Sequence, residues 1–499
     1  MKKEPVLNYE QAPAYQLSHE WDLYATVVTS NFSHTFYEAM PQRLERLREL
    51  IEENDPQFVA HLAVYAREEM NLRSIPLILT VELAKIHIGD LLLSRLTARV
   101  IQRADEITEL LAYYQLANGR EKKKKLNRLS KQLQAGLQKA FNKFDEYQFA
   151  KYNRKGEIKL RDALFLVHPK AKDEAQQLLF DKIAGNSLQT PYTWETELSD
   201  LGKKQFESEE LKQEAFTQKW EELIDSNKVG YMALLRNLRN ILQANVSNNH
   251  IDHVCQRLAS KEHVLTSKQM PFRFLAAYRE LSEVNSGYTS KMMDALENAV
   301  QVSAGNIAGF DASTRVLIAC DVSSSMWEPI SERSKIMNYD IGLMLAMLLK
   351  SRCKNVVSGI FGDTWKVVNL PSSGILSNVD AFYQREGEVG YSTNGHLVIA
   401  NLIERGIIMD KIMVFTDGQL WNSSDDDTVQ LRDVWKQYKK LAPQAKLYLF
   451  DLAGYGLTPL DISNKDVYLI AGWSDKIFDM LDAIDRGINA LKAIKAIKI

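Results

Sequence analysis

The stretch LIACDVSSSMWEP, residues 317–329, decides how the second half of this 499-residue chain is read. An apolar run, begun by Arg315 and Val316, meets an aspartate and then a cluster of hydroxyls. Strands buried on both faces of a parallel sheet appear as short continuous apolar runs, so residues 315–320 predict a central strand. The polar cluster then falls just past its carboxyl end, the edge at which open α/β sheets hold ligands. Asp321, Ser323 and Ser325 gather hard oxygen donors on one loop. That is ligand chemistry for Mg2+ or a similar cation, provided that other loops complete the shell.

Working outward, NVVSGIF, KIMVFTD, KLYLFD and VYLIA repeat the short β-branched or aromatic run, with helical patterns at about 333–351, 394–406, 428–440 and 474–487. Strand alternating with helix predicts a doubly wound α/β domain. KIMVFTDG ends one strand at Asp417, and GYSTNG puts Thr393 in a loop just before a helix. Asp321, Ser323, Ser325, Thr393 and Asp417 are therefore expected to converge at one sheet edge. Polar βα loops also carry Asp and Ser as helix caps. Capping accounts for DVSSS alone, but less readily for three segments together.

The DxSxS, Thr and TDG elements, in that order on alternating strands and helices, resemble a von Willebrand factor A domain over about residues 311–490. The resemblance implies a Rossmann-like fold and a metal-ion-dependent adhesion site built by the same five residues. Its divalent cation, Mg2+ foremost, keeps a coordination position for a partner's carboxylate or for water. A remnant site, in which metal serves only rigidity, is the plainer alternative.

Other chemistries find less support. No G-x-S-x-G, H-E-x-x-H, G-x-x-x-x-G-K-[ST] or G-x-G-x-x-G is present. Three cysteines without a C-x-x-C pair argue against a disulfide framework or structural zinc. The longest apolar run, Ile341–Leu349, is too short to span a bilayer, and MKKEPVLNYEQ lacks the core of a signal peptide. A cytoplasmic protein without membrane association, and a monomer, is the expectation.

From about Glu20 to Ala299 the grammar is helical. PLILTVELAKIHIGDLLLSRLTARVIQRADEITELLAYYQ carries Leu, Ile and Ala at helical spacing. Pro169 and Pro271 suit first helical turns, and Gly185 and Gly287 suit helix ends. In YMALLRNLRNIL the residues Leu234, Leu235, Leu238, Ile241 and Leu242 form one apolar stripe, with Arg236 and Arg239 together off it. The acidic, Lys-rich stretch Glu195–Asn227 reads as a long connection or a surface helix. Many helices joined by short breaks predict a helical-repeat array, although no strict period recurs. Two domains follow, 1–305 and 311–499, with the boundary near NIAGFDAS.

The net charge of −2 conceals a strong local field: residues 120–172 hold 16 Lys and Arg against 5 Asp and Glu. A polyanion responds to that local excess. Lys122–Lys125 form a consecutive run, the usual mark of a solvated segment. Lys151, Arg154, Lys155, Lys159 and Arg161 are instead interleaved with Tyr147, Phe149 and Tyr152. Cations beside flat rings suit single-stranded nucleic acid, through phosphate neutralisation and base stacking. Equally, the rings could be core and the lysines a soluble exterior.

FDEYQFAKYNRKGEIKLRDALFLVHPKA, with VYAREEMNLRSIPLILTVELA and MALLRNLRNI, resembles the TROVE module over most of residues 15–300. That module is shared by the Ro autoantigens, the telomerase-associated protein and the vault RNA-binding family. TROVE followed by a von Willebrand A domain is the Ro arrangement, and the short linkers suit a bacterial member. The resemblance implies an all-α ring of HEAT-like repeats followed by the A domain. It implies small noncoding Y-like RNA on an outer basic surface and single-stranded 3′ ends of misfolded or structured RNA in a central cavity. An exoribonuclease can be tethered through such an RNA. Lys151, Lys155 and His168 are the implied contacts to Y RNA and duplex RNA, with Arg154, Lys159, Lys170 and Lys172 extending the field. Arg236 and Arg239 are candidates for the cavity wall. Lys155 departs from the family pattern, which has arginine there; the charge survives but the bidentate fork does not.

The expected function is thus non-catalytic RNA binding in quality control, or as an RNA-tethered adaptor, with no catalytic residue assigned. Two alternatives remain at this point. One is a metal-dependent RNA-processing enzyme using Asp321 and Asp417, and the other is an adhesion module that grips a partner's carboxylate.

Overall fold

The structure is a computed structural model. It describes residues 4–29, 40–119, 129–153, 156–269, 271–304, 310–311, 313–330, 334–371, 373–420, 430–472, 477–485 and 487–499. The chain forms two compact units, residues 44–200 with 490–499, and residues 1–43 with 201–489.

The first unit is helical. Helix Pro56–Glu68 packs on Ser74–Ile86 and Leu92–Val100, Asp105–Ala117 packs on Ser74–Ile86, and Lys131–Phe141 lies along Leu92–Val100. Asp55 caps the first of these, accepting from the amides of Gln57 and Phe58, with Pro56 following as a first-turn residue. Gly136 explains one close packing, because a Cβ there would collide with Thr97 and with the Ser94 carbonyl. A glycine inside a helix costs backbone entropy, but here it lets two helices approach. The same core holds a buried ion pair in which Arg67 reaches Glu106 at 2.9 Å and the Val100 carbonyl at 3.0 Å. Glu106 also accepts from the amides of Gln102 and Arg103, so its charge is satisfied at the break before its helix.

The second unit joins helices to a sheet. Helices Asn248–Ala259, Pro271–Ser282 and Thr289–Ala304 pack together, and the last two also pack on Asn338–Arg352. Among the described residues there are nine strands: β1 (Val6–Leu7), β2 (Pro13–Gln16), β3 (Arg315–Asp321), β4 (Asn355–Phe361), β5 (Trp365–Val367), β6 (Lys411–Thr416), β7 (Lys446–Asp451), β8 (Leu457–Thr458) and β9 (Val467–Ala471). The main sheet runs β5-β4-β3-β6-β7-β9, parallel except for the edge strand β5. Its parallel strands, counted in chain order, lie 2-1-3-4-5, so the winding direction reverses between β3 and β6. That is the switch point at which doubly wound sheets bind ligands. The five parallel strands coincide with the five apolar runs seen in the sequence, and helices follow them near the expected positions. A small antiparallel sheet, β1-β2-β8, brings the N-terminal segment onto this unit.

Of the two readings of Glu195–Asn227 the surface-helix one holds, as two helices, Trp194–Gly202 and Glu209–Asp225, the second capped by Ser208. Local expectations needed correction in two places. The single stripe over 231–242 is two short helices, Tyr231–Arg236 and Leu238–Gln243. They break at Asn237, whose side chain donates to the Ala233 carbonyl in competition with the backbone. Pro169 is not in a first turn: the helix starts at Glu174 with Asp173 as its cap. Pro169 follows instead a left-handed His168 that ends the preceding helix.

Candidate metal centre and candidate nucleic-acid interface

All five sequence-predicted oxygen donors are buried at the carboxyl edge of the main sheet. Asp321, Ser323, Ser325, Thr393 and Asp417 are each no more than 4% exposed. Asp321 ends β3, and its two carboxylate oxygens accept from the Ser323 amide at 2.9 Å and from Thr416 Oγ1 on β6 at 2.7 Å. Ser323 Oγ lies 3.4 Å from Ser325 Oγ. Thr393 arrives on a loop held against the end of β4. The Asn394 amide donates to the Gly362 carbonyl, the Thr364 amide to the Val389 carbonyl, and the Ser392 amide to Asp363. Gly362 and Gly390, the latter at φ +73°, permit this approach, since a Cβ on either would strike the other segment.

Two buried carboxylates side by side are costly without positive charge. Burial, and then the charge of Asp417, pushes the Asp321 carboxyl up to about 7; burial likewise pushes Asp417 up to about 6. Thr393 Oγ1 and Asp417 Oδ2 are buried without a hydrogen-bond partner in the structure. Orphaned oxygens, raised carboxyls and neighbouring hydroxyls together fit a hard divalent cation. The set holds only two carboxylates, and among the described residues no three Asp, Glu, His or Cys gather as a metal cluster. Sequence reasoning passed over Asp451, which ends β7 beside β6 and is also buried and pushed up, to about 6, by burial. The signal was available, as KLYLFD ends in Asp like the other two strands.

The basic segment resolves the ambiguity of its rings. Phe149 is core, stacked on Phe141 and edge-on to Phe144. Tyr147 is exposed on the same helix, Glu146–Tyr152, whose start is fixed by the Asp145–Gln148 capping box. Lys151 Nζ lies 5.6 Å from the ring centres of both Tyr147 and Tyr152, and the Arg103 guanidinium lies 4.3 Å from Tyr152. One face therefore offers cations with aromatic rings, while the opposite face is buried. Lys159, Arg161, His168, Lys170 and Lys172 are exposed along the chain that follows. Gln138 donates to the carbonyls of Val167 and His168 at 3.0 and 3.1 Å. Asn142 donates to that of Lys170, and its own side chain accepts from the Lys172 amide. His168 adopts φ +48° as a helix terminus, so its ring projects from an anchored turn. Arg154, Lys155 and Lys122–Lys125 lie outside the described residues.

Arg236 and Arg239 line a pocket of about 280 Å3 in the second unit, together with Arg273 and Glu280. Arg239 pairs with Glu280 at 2.8 Å, so it ties two helices as well as facing the pocket. Arg273, which sequence reasoning missed because it lies on a separate helix, is exposed as a residue. Desolvation of its guanidinium, with the Arg236 charge beside it, still holds its pKa below the ordinary arginine value.

Comparison with known proteins matches the TROVE domain model to residues 29–219 and 184–338. The rat and mouse proteins named telomerase protein component 1 are each 28% identical over 316 residues, covering 48% of this chain. The chain corresponds to only 12% of the length of either relative. The crystal structure of the Deinococcus radiodurans RO (RSR) protein aligns with a TM-score of 0.61 at 18% identity, over 94% of this chain and all of that one. The fold is therefore the one expected, a helical-repeat region with a doubly wound α/β part. Among the described residues no helix is long and apolar enough to cross a membrane.

Proposed function

This chain belongs to the TROVE-domain family, and from that premise we propose that it is an RNA-binding protein of the Ro type. The observation that carries the reading is the exposed face of the Glu146–Tyr152 helix, where Lys151 stands between Tyr147 and Tyr152. Phosphate oxygens meet Lys151, Lys159, Lys170 and Lys172, and a base or ribose meets Tyr147 or the His168 imidazole. A lysine head group supplies charge without fixed geometry, so this surface recognises backbone and shape more than sequence.

The finer reading rests on the family resemblance. Y-like noncoding RNA occupies the basic face. Single-stranded 3′ ends of misfolded or structured RNA are the second cargo, with Arg236 and Arg239 as backbone contacts. An exoribonuclease is recruited through the RNA. The chain's own role is binding, and bond breaking is left to that partner. Asp321, Ser323, Ser325, Thr393 and Asp417 would hold a divalent cation, Mg2+ foremost. When bound, it offers a Lewis-acidic position to a carboxylate or to water.

Sequencing the RNA that copurifies with the native protein tests the reading directly. A single enriched structured RNA is the expected result. Purified protein should also bind a hairpin with a 3′ tail, with affinity falling steeply as salt rises. Binding that is absent, or indifferent to salt, overturns it.

A further inference from the structure

The recess lined by Arg236, Arg239 and Arg273 holds more positive charge than its own residues neutralise. Helices Tyr231–Arg236 and Leu238–Gln243 both pack on Pro271–Ser282, and Tyr231 meets Phe274 edge-on at 6.4 Å between ring centres. The break at Asn237 puts Arg236 at the end of one short helix and Arg239 inside the next, while Arg273 enters from the first turn of the third. Ala276 and Ala277 lie one turn further along the helix of Arg273, where their small side chains keep the space open. Met232, Leu235 and Leu238 supply an apolar wall. Glu280, the carboxylate among the described lining residues, is already held by Arg239 at 2.8 Å and by Lys335 at 3.1 Å. Among the described residues Arg236 and Arg273 form no ion pair. Two guanidiniums thus share a recess of about 280 Å3 without a carboxylate partner in the chain.

Like charges gathered in a partly desolvated recess gain from an anion that enters between them. A phosphodiester inside an RNA chain brings one negative charge. A terminal phosphomonoester brings about −1.5 to −2 at neutral pH and three acceptor oxygens. Two planar guanidinium forks match the second group better, since each can donate to a pair of its oxygens. The volume lies at the lower end for ligand pockets, so it admits a single nucleotide and excludes a duplex. We propose that this recess binds the phosphomonoester of a terminal nucleotide on single-stranded RNA. Arg236 and Arg273 clamp the phosphate, and the base lies against Met232 and Leu235. The inference rests on the reading of the chain as RNA-binding, and it narrows the second cargo to ends that carry a phosphate. Because chain cleavage leaves either a phosphate or a hydroxyl at each new end, the pocket sorts RNA by the kind of cut that made it.

Binding isotherms of the full-length protein test it, using one internally labelled single-stranded oligoribonucleotide made with hydroxyl ends, with a 5′-phosphate or with a 3′-phosphate. At pH 7.5 one phosphorylated form should bind on the order of tenfold tighter than the hydroxyl form, and the form preferred identifies the end that enters. The gap should shrink at pH 5, below the second phosphate pKa of about 6, where the group carries a single charge. Arg236→Gln and Arg273→Gln should each remove the preference, costing the phosphorylated oligonucleotide more than the hydroxyl-ended one. Arg273→Lys keeps the charge and should retain part of it, which a merely misfolded variant would not. Equal affinity of the wild type for all three forms overturns the end preference and leaves the RNA-binding reading standing. If no form binds, the RNA-binding reading fails. Calorimetry with adenosine 5′-monophosphate then decides separately: heat of binding lost in Arg273→Gln keeps the phosphomonoester site, and no binding overturns it as well.

Discussion

Arg279 grips Asp340 through two hydrogen bonds of 2.7 Å, joining helix Pro271–Ser282 to the first helix after strand β3. The Asp340 side chain is fully buried, and its second role is to accept from the Met337 amide at the start of its own helix. Burial disfavours the Arg279 charge. Asp340 more than offsets this and holds the guanidinium's pKa above its ordinary value. The pair ties helical and α/β portions of one unit by geometry that neither portion encodes alone.

Cutting that tie should be costly. Arg279→Leu leaves a buried carboxylate without its cation and should destabilise the protein by roughly 3 kcal/mol. Chemical denaturation measures this. The double change Arg279→Leu with Asp340→Leu should recover part of the loss, because no buried charge is then stranded. A double variant as unstable as the sum of the singles would show the two residues acting independently.

The candidate metal centre predicts an unusual pH response. Asp321 and Asp417 have folded-state pKa values raised to about 7 and about 6. In metal-free protein the unfolded chain therefore releases its protons first. Stability from this pair is complete below the ordinary carboxyl range and declines as pH rises to about 7. Mg2+ should reverse the decline, since it competes with those protons. Melting temperatures in chelator should fall between pH 5 and 7.5. The gain from Mg2+ should be larger at pH 7.5 than at pH 5. A Mg2+ effect that is equal at both would argue against this pair as the ligands.

Lys151 and Tyr147 should be separable by salt. Removing a phosphate contact with Lys151→Ala should weaken RNA binding across sequences and lower the salt slope by about one. Tyr147→Ala removes a stacking surface instead, costing about 1–3 kcal/mol with the slope unchanged. Binding isotherms between low and high salt distinguish the two. Identical slopes in both variants would remove Lys151 from the phosphate path.

Arg273 offers a third test. If its pocket contacts RNA backbone, Arg273→Ala should weaken binding of single-stranded RNA by about tenfold, as loss of one charge-assisted contact would. Glu280→Gln should have the opposite sign, because it frees Arg239 from its 2.8 Å ion pair. Unchanged affinity in both would leave Arg239 as a helix tie only.

Much of this was legible in the chain itself. The five parallel strands were readable because strands covered on both faces must be continuously apolar, and VYLIA or RVLIACD admit little else. The cation donors were readable because each sits where an apolar run ends. Phe149 and Tyr147 were not separable by type, since both are aromatic. Their spacing of two residues on a helix sends them to different faces, which only the packing partners of Phe149 reveal. The hairpin of residues 6–16 left no pattern, because two strands this short are too brief to show alternation.

By itself, then, the sequence determined the alternation of helix with strand, the edge at which polar residues collect, and the concentration of positive charge over 120–172. These are properties of neighbours along the chain. The tertiary structure alone decided that Arg273 shares a pocket with Arg236, that Asp340 meets Arg279, and that the Tyr9 amide meets Gln419. Such pairings join residues dozens to hundreds of positions apart. Only the burial of apolar faces against one another brings them together, and no local spacing records that outcome.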